Sequence, residues 1–343
     1  MHINIEKSIS TINDKQVDRY IISNNNNVSV SILNYGGIIS SFKTQDKNDN
    51  LSNIILGFDD VNKYASEEYL KNNSCFGAIT GRFACRINNA PLDTENKNIS
   101  LTESGENKHF YIGNLGFDKV FWDVKVIENQ DNISLLLTYS SKYLEENSPI
   151  NLNVSVLYTL YEKNMFSITY KANTSKPTIL NLSNNFYINL DGTEKDSDIL
   201  DTQIQVNSEK YFSLSNNSTP AFEKADLKDT KYDLTNLTTF KNVLDKLPDG
   251  IDTSFFLKDK KYLKNACNLW NKKTGRRLKV FTTYPILHVY TGNNIPKTEK
   301  ISDKNSGVAL IPQNFPNVPE KYNFQSTYLK PKQNYRNNTI YIF

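Results

Sequence analysis

The chain has 343 residues, 38% of them hydrophobic and 12% aromatic, and carries a formal net charge of +3. That apolar content supports a sizeable core and excludes a disordered chain, while the small and evenly scattered charge excludes a nucleic-acid-binding face. No apolar run approaches the roughly 20 residues that span a bilayer, and the opening Met1-His2-Ile3-Asn4-Ile5-Glu6-Lys7 lacks the apolar centre of a signal peptide. A soluble cytoplasmic protein, with neither a nucleic acid nor a membrane partner, is therefore expected. The 3 cysteines, Cys75, Cys85 and Cys267, are odd in number and stand at no metal-ligand spacing, so neither a disulfide framework nor a metal or other cofactor is expected.

The 20 tyrosines and 18 phenylalanines favour strands, because flat rings pack well on a pleated face. Residues 20–43 read as strands: Val28, Val30 and Ile32 alternate with polar positions, and Asn34-Tyr35-Gly36-Gly37 makes a turn before Ile38-Ile39-Ser40-Ser41-Phe42. Asp46-Lys47-Asn48-Asp49-Asn50 is turn chemistry. Ile54-Ile55-Leu56-Gly57-Phe58 predicts a short buried strand, followed by a polar stretch with helical character to Lys71. Further strands are expected over 133–139, 154–161, 166–171, 278–283, 286–290 and 308–310, and a helical turn or two over 234–247. No Pro- or Gly-rich linker divides the chain, so residues 1–343 are expected to form a single all-β domain, a large antiparallel β-sandwich with few short helices.

One stretch is unusual. Asn181-Leu182-Ser183-Asn184-Asn185-Phe186-Tyr187-Ile188-Asn189-Leu190 mixes amides and hydroxyls with apolar and aromatic residues. Asn and Ser side chains compete with the backbone for hydrogen bonds, so such a run predicts a polar surface presented by a buried scaffold. The plainer alternative is a strand end that is Asn-rich because the whole protein is.

This stretch resembles the Asn-Leu-Thr-Asn-His-Ser-Tyr-Phe-Asn-Leu strand of the aldose 1-epimerase (galactose mutarotase) family. Other segments resemble that family in the same order: the Asn34 turn, Leu56-Gly57-Phe58-Asp59, Gly81-Arg82-Phe83-Ala84-Cys85-Arg86-Ile87, Gly116-Phe117-Asp118-Lys119 with Trp122, Tyr290-Thr291-Gly292-Asn293, and Leu310-Ile311-Pro312-Gln313-Asn314-Phe315-Pro316. The resemblance implies the galactose mutarotase-like supersandwich with an open groove for a small sugar or sugar-like ligand. It places Arg86 and Asp252 among the sugar-binding residues. Asp118 and Lys119 read as a structural ion pair or turn, and Arg82 reads either way.

Mutarotation removes a proton from the anomeric hydroxyl while protonating the ring oxygen, so one base and one acid must flank the sugar. The resemblance puts the family's acid, a His, at Asn185 and its base, a Glu, at Ile311. A second family His falls at Tyr111, and a groove-lining Gln falls at His288. An amide donates and accepts hydrogen bonds but releases no proton near neutral pH, and isoleucine exchanges none, so ordinary mutarotation is not expected. The groove residues are then Arg86, Tyr111, Asn185, Tyr187, Asp252, His288 and Ile311. Among the 3 histidines, His288 is the candidate catalytic partner of Asp252, although a histidine merely satisfied within a strand is an equal reading. His109 stands two residues before Tyr111, and His2 is at the terminus. Four readings follow: a sugar binder with little or no activity; an enzyme with rebuilt chemistry on His288 and Asp252, acting on a less polar substrate; a weak aldose 1-epimerase using His109 or His288; and a purely structural role.

Overall fold

The computed structural model describes residues 1–72, 74–84, 92–94, 97–99, 116–141, 151–193, 197–214, 220–258, 262–295, 304–315 and 327–343. Strands dominate, and their ladders are antiparallel. An N-terminal five-stranded sheet runs in chain order through His2–Ile12, Lys15–Ser23, Ser29–Leu33, Ile39–Gln45 and Leu51–Asn53. A nine-stranded sheet has the order Thr238–Thr239, Thr202–Val206, Lys264–Asn271, Arg277–Thr282, Tyr335–Ile342, Met165–Thr174, Leu152–Tyr161, Asn132–Ser141, Asp123–Glu128. A six-stranded sheet has the order Tyr187–Ile188, Val308–Gln313, Ile286–Tyr290, Asp252–Leu257, Ser208–Leu214, Pro220–Asp226.

Period-two alternation builds the core. Along Leu152–Tyr161 the buried positions Leu152, Val154, Val156, Tyr158 and Leu160 alternate with polar or partly exposed ones. Their cross-strand neighbours include Leu135 and Leu137 on one side, and Phe166, Ile168 and Tyr170 on the other. These residues join one cluster that reaches from Tyr20 to Tyr341 and includes Leu182, Phe186, Ile188 and Leu190. The turn at Asn34 forms as expected: Gly36 has φ +63°, and a Cβ there would lie 2.4 Å from the Asp118 carbonyl oxygen, so no larger residue fits.

Two features differ from expectation, the connection 54–58 and a set of strands without a sequence signal. Residues 54–58 are mostly buried but form no strand, since their one ladder contact is the bridge Ile55–Ile188. The chain there is an extended connection, with Ile54 donating to the Phe42 carbonyl and Leu56 to the Tyr187 carbonyl. The helical turn or two expected over 234–247 is present as Phe240–Leu244, capped by the Thr239 hydroxyl, while Leu237 stays exposed. The strands His2–Ile12, Lys264–Asn271 and Tyr335–Ile342 carry no clean alternation in sequence and become evident only in the sheets.

The stretch 181–190 runs between the sheets. Asn184 Nδ2 donates to Tyr158 Oη (2.8 Å) and to the Gly77 carbonyl (3.2 Å), while Tyr170 Oη donates to Asn184 Oδ1 (2.6 Å). Tyr158 in turn donates to the Gly37 carbonyl (2.9 Å), so one buried amide ties the nine-stranded sheet to two loops. Removing one partner of such a knot strands the others without water, at about 1–3 kcal/mol per group. Asn184→Ala is expected to lower unfolding stability by about 3 kcal/mol in urea denaturation, whereas Asn153→Ala on an exposed strand face should cost less than about 0.5 kcal/mol.

Candidate functional site

In the six-stranded sheet, residues directly opposite one another point to the same side. Asp252 faces Tyr290 and Ser254 faces His288. His288 in turn faces Ile311, and Tyr290 faces Ala309, which also faces Tyr187. One face of the sheet therefore carries Asp252, Ser254, His288, Tyr290, Ile311 and Tyr187. The alternate residues Thr253, Phe255, Leu287, Val289 and Leu310 are buried on the other face. The Asp252 and His288 side chains keep 24% and 22% of their exposure, so this face is open.

Its polar centre is compact. His288 Nε2 lies 3.2 Å from Asp252 Oδ1, and His288 Nδ1 lies 2.9 Å from Ser254 Oγ. The pairing of His288 with Asp252 was anticipated. Ser254 was not, and its only signal in the sequence is its place two residues after Asp252, on the same face of the strand. Ile311 sits across from His288, packed with Tyr290 against an aromatic cluster that contains Tyr187, Phe76, Tyr69 and Tyr64.

Asn185 approaches from the central stretch. Its Nδ2 donates to the Ser74 carbonyl (2.9 Å), which Tyr187 Oη also contacts at 3.4 Å. The carbonyl needs a donor, and this fixes which end of the amide points to it. Asn185 Oδ1 is left buried and finds no hydrogen-bond partner, in a residue only 9% exposed. The other polar side chains of the stretch are spent internally. Asn181 donates to the Ala84 carbonyl and accepts from the Asn314 amide, Ser183 donates to the Pro312 carbonyl, and Asn189 donates to the Ser306 carbonyl and accepts from the Asp191 amide. The expected polar surface is thus mostly an internal stitch, with Asn185 the exception.

Three residues of the shared motifs read as structural. Asp118 and Lys119 form an ion pair at 2.6 Å, with Asp118 buried. Arg82 is 1% exposed and donates to Ser141 Oγ at 2.7 Å. Arg86, Tyr111, His109 and Cys85 lie outside the described residues. Among the described residues no group of three His, Cys, Asp or Glu side chains is placed to hold a metal ion, and no helix is long and apolar enough to cross a membrane.

The arrangement can bind but is poor in proton exchangers: a carboxylate, an imidazole held at both nitrogens, an orphan amide oxygen and an apolar floor. Comparison with known proteins places it. The Aldose 1-epimerase family model matches residues 18–342. The chain belongs to the aldose 1-epimerase family. The galactose mutarotases of Sus scrofa and Homo sapiens are each 30% identical over 320 residues, covering 92% of this chain and 90% of theirs. The aldose 1-epimerase of Escherichia coli K12 is 28% identical over 336 residues, covering 94% of both chains. The fold matches that of the galactose 1-epimerase from Lactobacillus acidophilus, with a TM-score of 0.84 at 22% identity over 99% of this chain and 98% of that one. It also matches an aldose epimerase homologue from C. elegans, with a TM-score of 0.83 at 21% identity over 94% and 97%. Both share the family's large antiparallel β-sandwich.

The aromatic floor makes a prediction at high pH. Burial pushes the Tyr64 phenol up to about 12, and burial pushes Tyr69 and Tyr187 well above the ordinary tyrosine range. Between pH ~10 and ~12 the unfolded chain releases these protons while the folded chain keeps them. Stability is therefore full below pH ~10 and falls as pH rises through this window. Near-ultraviolet titration should show phenolate appearing in two stages, the late one coinciding with loss of the fold in circular dichroism. A single early stage would contradict the buried cluster.

Proposed function

We propose that this chain binds a neutral, hydroxyl-rich sugar of the aldose type on the Asp252–His288 face and accelerates ring opening poorly, if at all. The observation that carries the reading is Asn185. Where the family resemblance places the acid, the chain has an amide turned to the Ser74 carbonyl, with its oxygen unpaired. That oxygen accepts a hydroxyl proton in a hydrogen bond but delivers none. At the position of the base stands Ile311, packed against the aromatic cluster. Each group of an acid–base pair contributes roughly 10²–10⁴-fold in rate, so a face lacking both retains binding without most of the chemistry. The polar wall it does present, the Asp252 carboxylate, asks for a ligand rich in O–H donors. The proposal takes residues 1–343 as one unit acting in the cytoplasm, with Arg86 and Tyr111 completing the groove.

A second reading has its own support. Asp252 and His288 are 3.2 Å apart on a partly exposed face, as a rebuilt catalytic pair would be, and the apolar Ile311 beside them suits a less polar substrate.

The optical rotation of fresh α-D-glucose and α-D-galactose separates the two. The expected result is a rate at the buffer blank together with a sugar-dependent rise in melting temperature, since a ligand bound to the folded state stabilises it. Carrying Asn185→His and Ile311→Glu in one chain should then raise the rate by ~10²-fold or more. A wild-type rate far above the blank overturns the binding reading, and its loss in His288→Ala would assign that rate to the rebuilt pair.

A further inference from the structure

The hydrogen bonds around His288 have a forced polarity. A carboxylate only accepts, so the contact between Asp252 Oδ1 and His288 Nε2 at 3.2 Å requires the proton to sit on Nε2. In the neutral ring Nδ1 is then a lone pair, and Ser254 Oγ, 2.9 Å away, must be the donor to it. The hydroxyl is suited to this role: Ser254 is 7% exposed and stands directly across the ladder from His288. Asp252 is two residues along the same strand, so the strand register alone assembles the relay Ser254–His288–Asp252, with no loop involved.

We infer that Ser254 is a positioning residue: it locks His288 as an Nε2–H donor that holds Asp252 in place as the acceptor for ligand hydroxyls. The inference deepens the sugar-binding reading and rests on it for the ligand. The order of atoms resembles a hydrolytic Ser–His–carboxylate triad, yet the serine is the most buried member and its hydroxyl is spent on the ring. With both nitrogens engaged, His288 offers the groove no lone pair. Asp252 becomes the acceptor of that trio, and the pairing favours neutral polyhydroxyl ligands over sugar acids, whose charge Asp252 repels. Among the described residues, the groups that face the imidazole are Asp252 and Ser254 on one neighbouring strand, Ile311 on the other, and Tyr290 on its own strand. The Tyr187 and Tyr232 phenols lie within the field of the Asp252 charge.

Long-range ¹H–¹⁵N correlation on protein labelled at histidine tests this directly, because the chain has only 3 histidines and His288→Gln identifies the signal. At neutral pH without sugar, wild-type His288 should show the proton on Nε2 and a lone pair on Nδ1. Ser254→Ala should give mixed tautomers and weaken galactose binding by about tenfold, the scale of one lost hydrogen bond linked to a charged group. Ser254→Thr, which keeps the hydroxyl, should restore both. A wild-type ring protonated on Nδ1, or a tautomer unmoved by Ser254→Ala, overturns the inference. Should the tautomer respond as expected while galactose and glucose bind no variant, the positioning role stands and the choice of ligand fails.

Discussion

The architecture depends on a run of side-chain amides and hydroxyls placed where a β protein normally buries hydrocarbon. Between Asn181 and Leu190 alternate residues face opposite ways. Leu182, Phe186, Ile188 and Leu190 enter the large core, and Asn184 reaches Tyr158 and Tyr170 of the nine-stranded sheet. Ser183, on the alternate set, instead reaches the Pro312 carbonyl on the six-stranded sheet. A buried amide without partners would be a liability of a few kcal/mol, about 1–3 per group. Fully bonded, it fixes how the layers sit against each other, because no shifted register would return the same partners.

That fixed placement makes the ligand face possible. The strand Val308–Gln313 is held on one side by Tyr187–Ile188 and on the other by Ile286–Tyr290. Strict alternation along these strands then sends Leu310, Leu287 and Phe255 into the core while Ile311, His288 and Ser254 turn the other way. A slip of one residue would exchange the two sets and bury a carboxylate in hydrocarbon. The polar trio is therefore anchored by the same apolar packing that holds the sheets together, and rigid strands hold it where a loop would leave it mobile.

Much of this was legible in the sequence. Strands with clean alternation, such as Ser29–Leu33, and glycine-marked turns announced themselves, and the ordered motifs pointed to the family. The strand His2–Ile12 did not, because it sits at a sheet edge with one face wet and a register shift between Glu6 and Ser10. The helical turn or two over 234–247 was legible, although its leucines serve different neighbours: Leu234 is buried and Leu237 is exposed. The amides of 181–190 were legible as unusual but not as internal, since composition cannot say whether a polar atom will find a protein partner or a ligand. Ser254 carried no signal of its own. A serine in a strand becomes informative only when the register sets it across from a histidine.

The same accounting of polar atoms singles out Asn185. Its neighbours in the stretch bond with both ends of their side chains, and it bonds with one. A buried acceptor without a partner costs about 1–3 kcal/mol, and the residue is kept by its other end, which satisfies the buried Ser74 carbonyl. A histidine at that position would supply a proton as well as a contact. The amide has no proton to deliver near neutral pH, and Ile311 opposite His288 has none to exchange.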